Sequence, residues 1–142
     1  MRLSQTAAYA LHASVQLAQS NSNVPVPCNR LANEGGMPER FLLQVLRTLV
    51  TQGILHSTRG VDGGYSLRRP AAEVSVLEVI EAVDGPIHPA LPPGANLPEE
   101  AGVRLSDALA RAAEAVRACL QAITLADLLP NGTHVGWWPS EK

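Results

Sequence analysis

The chain has 142 residues, enough for one domain with a buried core and too few for two. Only five residues are aromatic, so the core must consist of Leu, Val, Ile and Ala, a composition that favours helices. Two cysteines are too few for a disulfide scaffold, no apolar run is long enough to span a membrane, and the polar first residues lack a signal peptide's apolar block. We therefore expect a cytoplasmic protein.

The charges are divided unevenly along the chain, although the net charge is only −2. Residues 1–70 contain seven arginines and three acidic residues, a formal charge of +4. Residues 71–142 contain four basic and ten acidic residues, a formal charge of −6. A basic first half suggests a face that binds a polyanion, although charge alone is equally consistent with a chance asymmetry.

The first half of the chain predicts a helix-turn-helix. Apolar residues at helical spacing indicate a first helix over residues 4–20, which Ser4 can cap. Residues 24–27 must be extended, because each proline there disfavours helix at the residue before it. A short helix over residues 28–34 and a second over 38–52 follow, separated by a glycine pair that suits a tight turn.

A hairpin follows the second of these helices. Residues 54–58 and 65–68 read as two short strands, and the segment 59–64 between them is rich in glycine. Arg59 and the pair Arg68-Arg69 place basic residues at both ends of this hairpin. A helix-turn-helix followed by such a hairpin is the winged-helix arrangement.

The second half predicts two more helices and a loop. A capping box begins a helix over residues 76–83. Residues 86–98 include five prolines and therefore form a loop. A long alanine-rich helix is expected over residues 99–122, followed by a short return helix over 125–129.

These elements predict a mainly α fold: a winged helix-turn-helix with a two-stranded wing and a long C-terminal dimerisation helix. The expected organisation is a DNA-binding domain over residues 1–85, a proline-rich loop over 86–98, the dimerisation helix and short return helix over 99–130, and a tail over 131–142.

The second helix of a helix-turn-helix lies in the major groove, with its N-terminal residues at the base edges. Arg40 can contact guanine bidentately and Gln44 can read adenine. Glu39 can accept a hydrogen bond from cytosine or simply repel phosphate. Arg47 lies further along the helix, where we expect it to meet the DNA backbone.

The wing offers a second set of contacts. Arg59 can enter a minor groove or bind phosphate, and Gly60 helps the hairpin tip to approach DNA closely. The alternative for all these arginines is that they are solvated surface residues.

The long C-terminal helix has a narrow apolar stripe that suits pairing with a second copy of the chain. A dimer would place two recognition helices on one duplex and would favour a palindromic site. The alternative is that the stripe packs only on its own domain. The stripe consists of Leu105, Leu109, Ala112, Val116 and Leu120.

The sequence does not support catalysis or metal binding. Its four histidines are scattered, and no HExxH, GxSxG or P-loop pattern is present. Cys28 and Cys119 share no CxxC motif and are better interpreted as small apolar side chains. We expect neither an enzyme nor a metal site.

Several motifs resemble the Rrf2 family of bacterial winged-helix transcriptional regulators, and they extend over nearly the whole chain. The most specific of them is the hairpin string Gly53–Leu67. The others are the opening Met1–Ser4 with Tyr9–Leu11, the block Phe41–Leu46, the segment Val76–Gly85 and the late segment Ile123–Leu129.

The resemblance implies a homodimer that binds operator DNA and represses, or sometimes activates, transcription; we expect a repressor. It also adds Tyr65 to the DNA-contact candidates, whereas Pro38 and Phe41 already belong to them as N-terminal residues of the second helix. Together with those from the helix and the wing, the candidates are Pro38, Glu39, Arg40, Phe41, Gln44, Arg47, Arg59, Gly60 and Tyr65.

The chain departs from cluster-binding members of this family, which carry three cysteines in the loop before the dimerisation helix. Residues 86–104 contain none, and thiolates are the usual ligands of iron–sulfur clusters. We therefore expect no cluster and no other cofactor; the loop is left as a contact for an unknown small-molecule or protein effector. Two alternatives stay open: a winged-helix module for protein–protein interaction, and a redox sensor that holds a cluster with atypical ligands.

Overall fold

The computed structural model describes residues 2–20, 24–88, 91 and 94–130. Its architecture confirms the predicted winged helix-turn-helix followed by a long C-terminal helix. The elements are, in chain order, α1 (Gln5–Gln19), α2 (Cys28–Gly35), α3 (Glu39–Thr51), β1 (Leu55–Thr58), β2 (Gly64–Leu67), α4 (Val76–Asp84) and α5 (Glu99–Ala122), with 3-10 turns at Ala71–Glu73 and Ala126–Leu128.

Local signals place the turn between α2 and α3. Gly36 follows α2 in the left-handed conformation, at φ 62°, where glycine is favoured because it has no Cβ. Met37 then turns inward and is only 6% exposed, and its backbone N–H donates to the carbonyl of Ala32. Pro38 precedes the first residue of α3 with extended backbone angles. The turn is therefore closed by backbone geometry and anchored by one buried methionine.

The wing is an antiparallel pair in which Leu55 lies opposite Leu67. It is attached to the segment before α2, because Val26 and Tyr65 exchange both backbone hydrogen bonds, at 2.9 and 2.8 Å. Gly64 makes this approach possible: a Cβ there would lie 2.4 Å from the carbonyl carbon of Val26. The hairpin is therefore held in a defined position beside the helix-turn-helix.

One main core joins the helices and the wing. Its buried members are apolar side chains from the helices α1 to α4, from β1 and from the connecting segments, as expected for a chain with few aromatic residues; Tyr65 and Leu67 of β2 pack against it from half-buried positions, and none of its members comes from α5. Its most deeply buried large members are Leu17, Leu31, Leu42, Leu46, Leu49, Leu55, Val74, Val79 and Leu125.

The segment after α5 returns to this core. The N–H of Val76 donates to the carbonyl of Ile123 at 2.8 Å, and the N–H of Leu125 donates to the carbonyl of Val74 at 2.9 Å. Leu125 is fully buried and Ile123 is 6% exposed. The C-terminal end of α5 is thereby fixed to the winged helix-turn-helix.

The predicted short return helix over residues 125–129 corresponds to a shorter element, a single 3-10 turn at Ala126–Leu128. The N–H of Thr124 donates to the Asp127 carboxylate, and the N–H of Asp127 donates to the Thr124 hydroxyl. Thr124 pairs with Ser75 in a β-bridge and is therefore extended. The helical segment that follows it is limited to one 3-10 turn. The predicted tail, with Trp137 and Trp138, lies outside the described residues.

Candidate nucleic-acid interface

The recognition helix α3 has one buried and one outward side. Its buried side consists of Leu42, Val45, Leu46 and Leu49. At about 100° per residue, the residues opposite that side share a single stripe. This outward face of α3, as we call it, consists of Arg40, Gln44, Arg47 and Thr51, all of them exposed.

Three of the sequence-predicted candidates therefore lie together on the outward face. Arg40, Gln44 and Arg47 follow one another along it at helical spacing. Glu39 and Phe41 lie on its two flanks, and Pro38 caps the helix without a side-chain hydrogen bond. Thr51 was not among the candidates, although its position four residues after Arg47 would have indicated it.

The first turn of α3 is also held from α2. The thiol of Cys28 donates to the backbone carbonyl of Glu39 at 3.7 Å. Burial raises the pKa of this thiol above its ordinary value of 9.0, and the Glu39 carboxylate raises it further. The half-buried Cys28 is thus a neutral thiol at neutral pH that helps to fix the start of the recognition helix.

A cleft of about 720 Å³ lies between α3 and the wing. Arg47 and Thr51 form its wall on the helix side, whereas Ser57, Arg59 and Tyr65 belong to the wing side. Ser57 was missed from sequence because a lone serine on a strand carries no signal of its own. The cleft offers two guanidinium groups and several hydroxyls, which are typical partners of DNA phosphates.

Tyr65 lies within the strand β2 of the wing, not in the turn at the tip of the hairpin. The ring is half-buried, and its backbone pairs with Val26. Burial raises the pKa of its hydroxyl, the Cys28 thiol raises it further, and Arg47 acts in the opposite direction. Tyr65 therefore keeps a neutral hydroxyl at neutral pH, and it lines the cleft together with Cys28 and Arg47.

The wing arginines have different roles. Arg59 and Arg68 are exposed, and Gly60 beside Arg59 adopts φ 109°. Arg69, in contrast, donates to the Glu78 carboxylate at 2.6 Å and to the carbonyl of Glu73 at 2.9 Å. The Arg69 guanidinium is therefore already paired within the chain, where it joins the end of the wing to α4.

The arginines of the cleft and the outward face differ from Arg69 in their ion pairing. The ion pairs found in the described residues involve Arg30, Arg69, Arg104, Arg111 and Arg117. Arg40, Arg47 and Arg59 do not take part in them. Their charges are therefore not neutralised by the described part of the chain and remain available for a polyanion.

The helix α5 is unusual, because none of its 24 residues is buried. Its predicted stripe is divided in two. Leu109, Val116 and Leu120 are half-buried, and Leu120 packs against the cluster of Ala7, Val76 and Ile80. Leu105 and Ala112 are exposed.

The exposed members of the stripe belong to a neighbouring face. This exposed α5 face, as we call it, has no charged residue, and its members recur at helical spacing. They are Ala101, Leu105, Ala108, Ala112, Ala115 and Cys119. The ion pairs of Arg104 with Glu100 and of Arg111 with Asp107 lie on a third, polar side.

The donor groups do not fit a metal cluster within one chain. In the described residues no three His, Cys, Asp or Glu side chains are grouped closely enough to hold a metal ion. Cys28 is tied to α3, whereas Cys119 lies on the exposed α5 face. Across the same part of the chain, no helix is both long and apolar enough to cross a bilayer.

Similarity to known proteins extends over most of the chain. The model of the Rrf2 family, described as an iron-dependent transcriptional regulator, matches residues 3–131. An HTH-type transcriptional regulator of Mycobacterium tuberculosis, Rv1287, is 37% identical over 130 residues, which cover 90% of this chain and 81% of the relative. IscR of Cronobacter sakazakii, also named an HTH-type transcriptional regulator, is 36% identical over 84 residues, 59% of this chain and 52% of the relative.

A solved structure of a regulator has a similar fold. CymR of Bacillus subtilis, described as a global cysteine regulator, superposes with a TM-score of 0.73 at 26% identity. The superposition covers 90% of this chain and 95% of CymR.

Proposed function

The chain belongs to the Rrf2 family of DNA-binding transcriptional regulators, and from this premise we propose that it acts in the cytoplasm as a homodimeric repressor of a palindromic operator, without an iron–sulfur cluster. The family is one of regulators and not a class of enzymes. The observation that carries the proposal is the charge and exposure of the outward face of α3 beside the cleft and the wing.

The proposed DNA contacts follow from the placement of the side chains. Arg40 and Gln44 carry the donors and acceptors that distinguish guanine and adenine in the major groove. Arg47 faces the cleft, where a phosphate can lie between it and the wing. Arg59 on the exposed wing is suited to the neighbouring minor groove or its phosphates.

Dimerisation is supported by α5. Helices in proteins take most of their stability from packing, and none of the 24 residues of α5 is buried within its own chain. Leu105, the one large apolar side chain of the exposed α5 face, is 39% exposed. A second copy is the proposed occupant of the exposed α5 face, because a small, uncharged helix face is self-complementary about a two-fold axis.

Of the residues predicted from sequence for this interface, Leu105 and Ala112 belong to the proposed contact. Leu109, Val116 and Leu120 are half-buried, and Leu120 packs α5 on Val76 and Ile80 of α4. The stripe therefore serves both its own domain and the second copy, in different parts.

The family description names iron, but the donor set of this chain argues against a bound cluster. Residues 86–104 contain no cysteine, and the described donors form no group of three. We propose that the proline-rich loop responds to a small molecule or a protein instead. Anaerobic purification with iron and sulfide assays tests the absence of a cluster, and stoichiometric iron would overturn it.

DNA binding is tested by selecting genomic fragments with the purified protein and then measuring affinity at several salt concentrations. We expect a palindromic site whose affinity falls steeply with salt, because contacts to phosphate release counterions. Arg40→Ala and Arg59→Ala should weaken binding, whereas Arg104→Ala, on the polar side of α5, should not. Unchanged activity in both of the first two variants would favour a protein-interaction module.

The dimer is tested by a matched pair of substitutions. Ala112→Glu places a charge on the exposed α5 face, and Ala118→Glu places the same charge on the polar side of the same helix. We expect the first variant to sediment as a monomer and to lose affinity for the palindrome, and the second to behave as wild type. Dissociation by both variants would contradict this interface.

The sign of regulation is tested by transcription in vitro from the promoter nearest to the selected site. Addition of the protein should lower the amount of transcript, and Arg40→Ala should restore it. A rise in transcript on addition of the wild-type protein would show activation instead.

A further inference from the structure

The single phenylalanine of the chain occupies a position between the core and the outward face. Phe41 is 37% exposed, although it follows Arg40 in the first turn of the recognition helix. The buried side of α3 is filled by leucines and a valine, so the ring is not required there. A large ring at the edge of a polar face needs a separate explanation.

The ring of Phe41 is held from α1. Its centroid lies 5.5 Å from that of Tyr9, with an interplanar angle of 70°. This is the edge-to-face geometry in which aromatic pairs attract each other. Tyr9 is half-buried and packs against the main core, so it provides a fixed support. Phe41 is therefore restrained to one orientation before any ligand arrives.

The position of Phe41 on α3 directs it toward the same groove as its polar neighbours. It is about 100° around the helix from Arg40 and about 60° from Gln44. A helix that places Arg40 and Gln44 at base edges brings the flank with Phe41 close to an adjacent base pair. This step rests on the proposed function, since it assumes that the outward face enters a major groove.

We propose that Phe41 contacts the methyl group of a thymine and that Tyr9 is the residue that positions it. A phenyl ring carries no strong hydrogen-bond donor or acceptor, so it cannot read guanine, adenine or cytosine. The thymine methyl is the apolar group among the base edges of the major groove, and apolar side chains are its usual partners. The two rings together form a specificity element for one thymine in each half-site.

The test replaces thymine by deoxyuridine, which removes only the methyl group. Each thymine of the selected palindrome is replaced in turn, together with its symmetry mate, and affinities are measured. For the wild-type protein we expect one position at which the affinity falls about threefold to tenfold per half-site. At that position Phe41→Ala should bind thymine and deoxyuridine DNA equally.

Variants of Tyr9 separate positioning from contact. Tyr9→Phe keeps the ring pair and should retain the thymine preference in full. Tyr9→Ala should reduce the preference while leaving discrimination of the base read by Arg40 intact, and Tyr9→Leu serves as a second variant if the alanine protein does not fold. Gln19→Ala, at the far end of α1, is the matched control and should behave as wild type.

Two results would overturn the proposal. The first is a wild-type protein that binds its palindrome with no loss at any deoxyuridine position. The second is a loss that persists unchanged in Phe41→Ala. A protein that retains no DNA fragment would refute the proposed function itself, and it is recognised before any deoxyuridine is introduced.

Discussion

The hydroxyl of Ser4 donates to the carboxylate of Asp84, with oxygen–oxygen distances of 2.8 and 2.7 Å. The same hydroxyl oxygen accepts the backbone N–H of Ala7 and caps α1. Asp84 is the last residue of α4, so one side chain joins the beginning of the first helix to the end of the fourth. The ends of α1 and α4 are therefore fixed beside the start of the proline-rich loop.

This relationship predicts different effects for its two partners. Ser4→Ala removes both the cap and the interhelical bond, and we expect a loss of about 1–2 kcal/mol in the free energy of unfolding. Asp84→Ala removes only the interhelical bond and should cost less. Urea denaturation of both single variants and the double variant measures the coupling, and strictly additive losses would contradict a direct interaction.

Gly64 is a position where a side chain is poorly tolerated. Gly64→Ala places a Cβ against the backbone of Val26 at φ 154°, so the wing must move away from the segment before α2. We expect the free energy of unfolding, measured by thermal denaturation, to fall by about 2–4 kcal/mol. Gly102→Ala is the matched control, because its Cβ would meet nothing within 4 Å inside a helix. That control should gain up to about 1 kcal/mol.

Glu81 joins the proline-rich loop to α5. One carboxylate oxygen accepts from Arg117 at 2.7 Å and from the backbone N–H of Ile87 at 3.2 Å. Because this carboxylate is only 19% exposed, Glu81→Ala should cost about 1–3 kcal/mol in urea denaturation. Glu100→Ala breaks a pair that is 79% exposed and should change stability by less than about 0.5 kcal/mol. Equal losses of stability in the two variants would contradict the idea that burial of the ion pair determines its contribution.

The arginines of the outward face should differ in the kind of binding they support. Arg40→Ala is expected to cost about 1–3 kcal/mol on the selected site and to relax the base preference at one position. Arg47→Ala should weaken binding to all sequences alike and reduce the salt dependence, because it loses a phosphate contact. Competition binding with a mutated palindrome at two salt concentrations distinguishes them, and the same profile for both variants would reject the assignment.

The Cys28 thiol predicts a pH dependence of alkylation. The thiolate is the reactive form, and burial with Glu39 nearby raises the pKa of this thiol above its ordinary 9.0. In a Cys119→Ser variant, iodoacetamide should therefore react slowly at neutral pH and faster as the pH rises, with a midpoint above 9.0. The urea-unfolded variant provides the reference. A folded-state midpoint at or below that reference would contradict the buried environment.

Much of the architecture could be predicted from local patterns. The spacing of Leu42, Val45, Leu46 and Leu49 marks the buried side of α3, and it leaves Arg40 outside. The glycine pair ended α2, and the serine–glutamate capping box began α4, because both signals act within a few residues. The return segment could not be predicted in this way: Thr124 is extended because it pairs with Ser75, which is remote in the sequence.

The sequence by itself determined that this chain is a winged helix-turn-helix with an exposed basic recognition helix, since periodicity, turns and charge are short-range properties. Only the tertiary structure decided which side chains are free to act. It committed Arg69 to Glu78, left Arg59 exposed and divided the α5 stripe between its own domain and solvent. It also brought Tyr9 against Phe41. These outcomes depend on which segments, distant in sequence, come together in the core. The local pattern of residues along the chain does not contain that information.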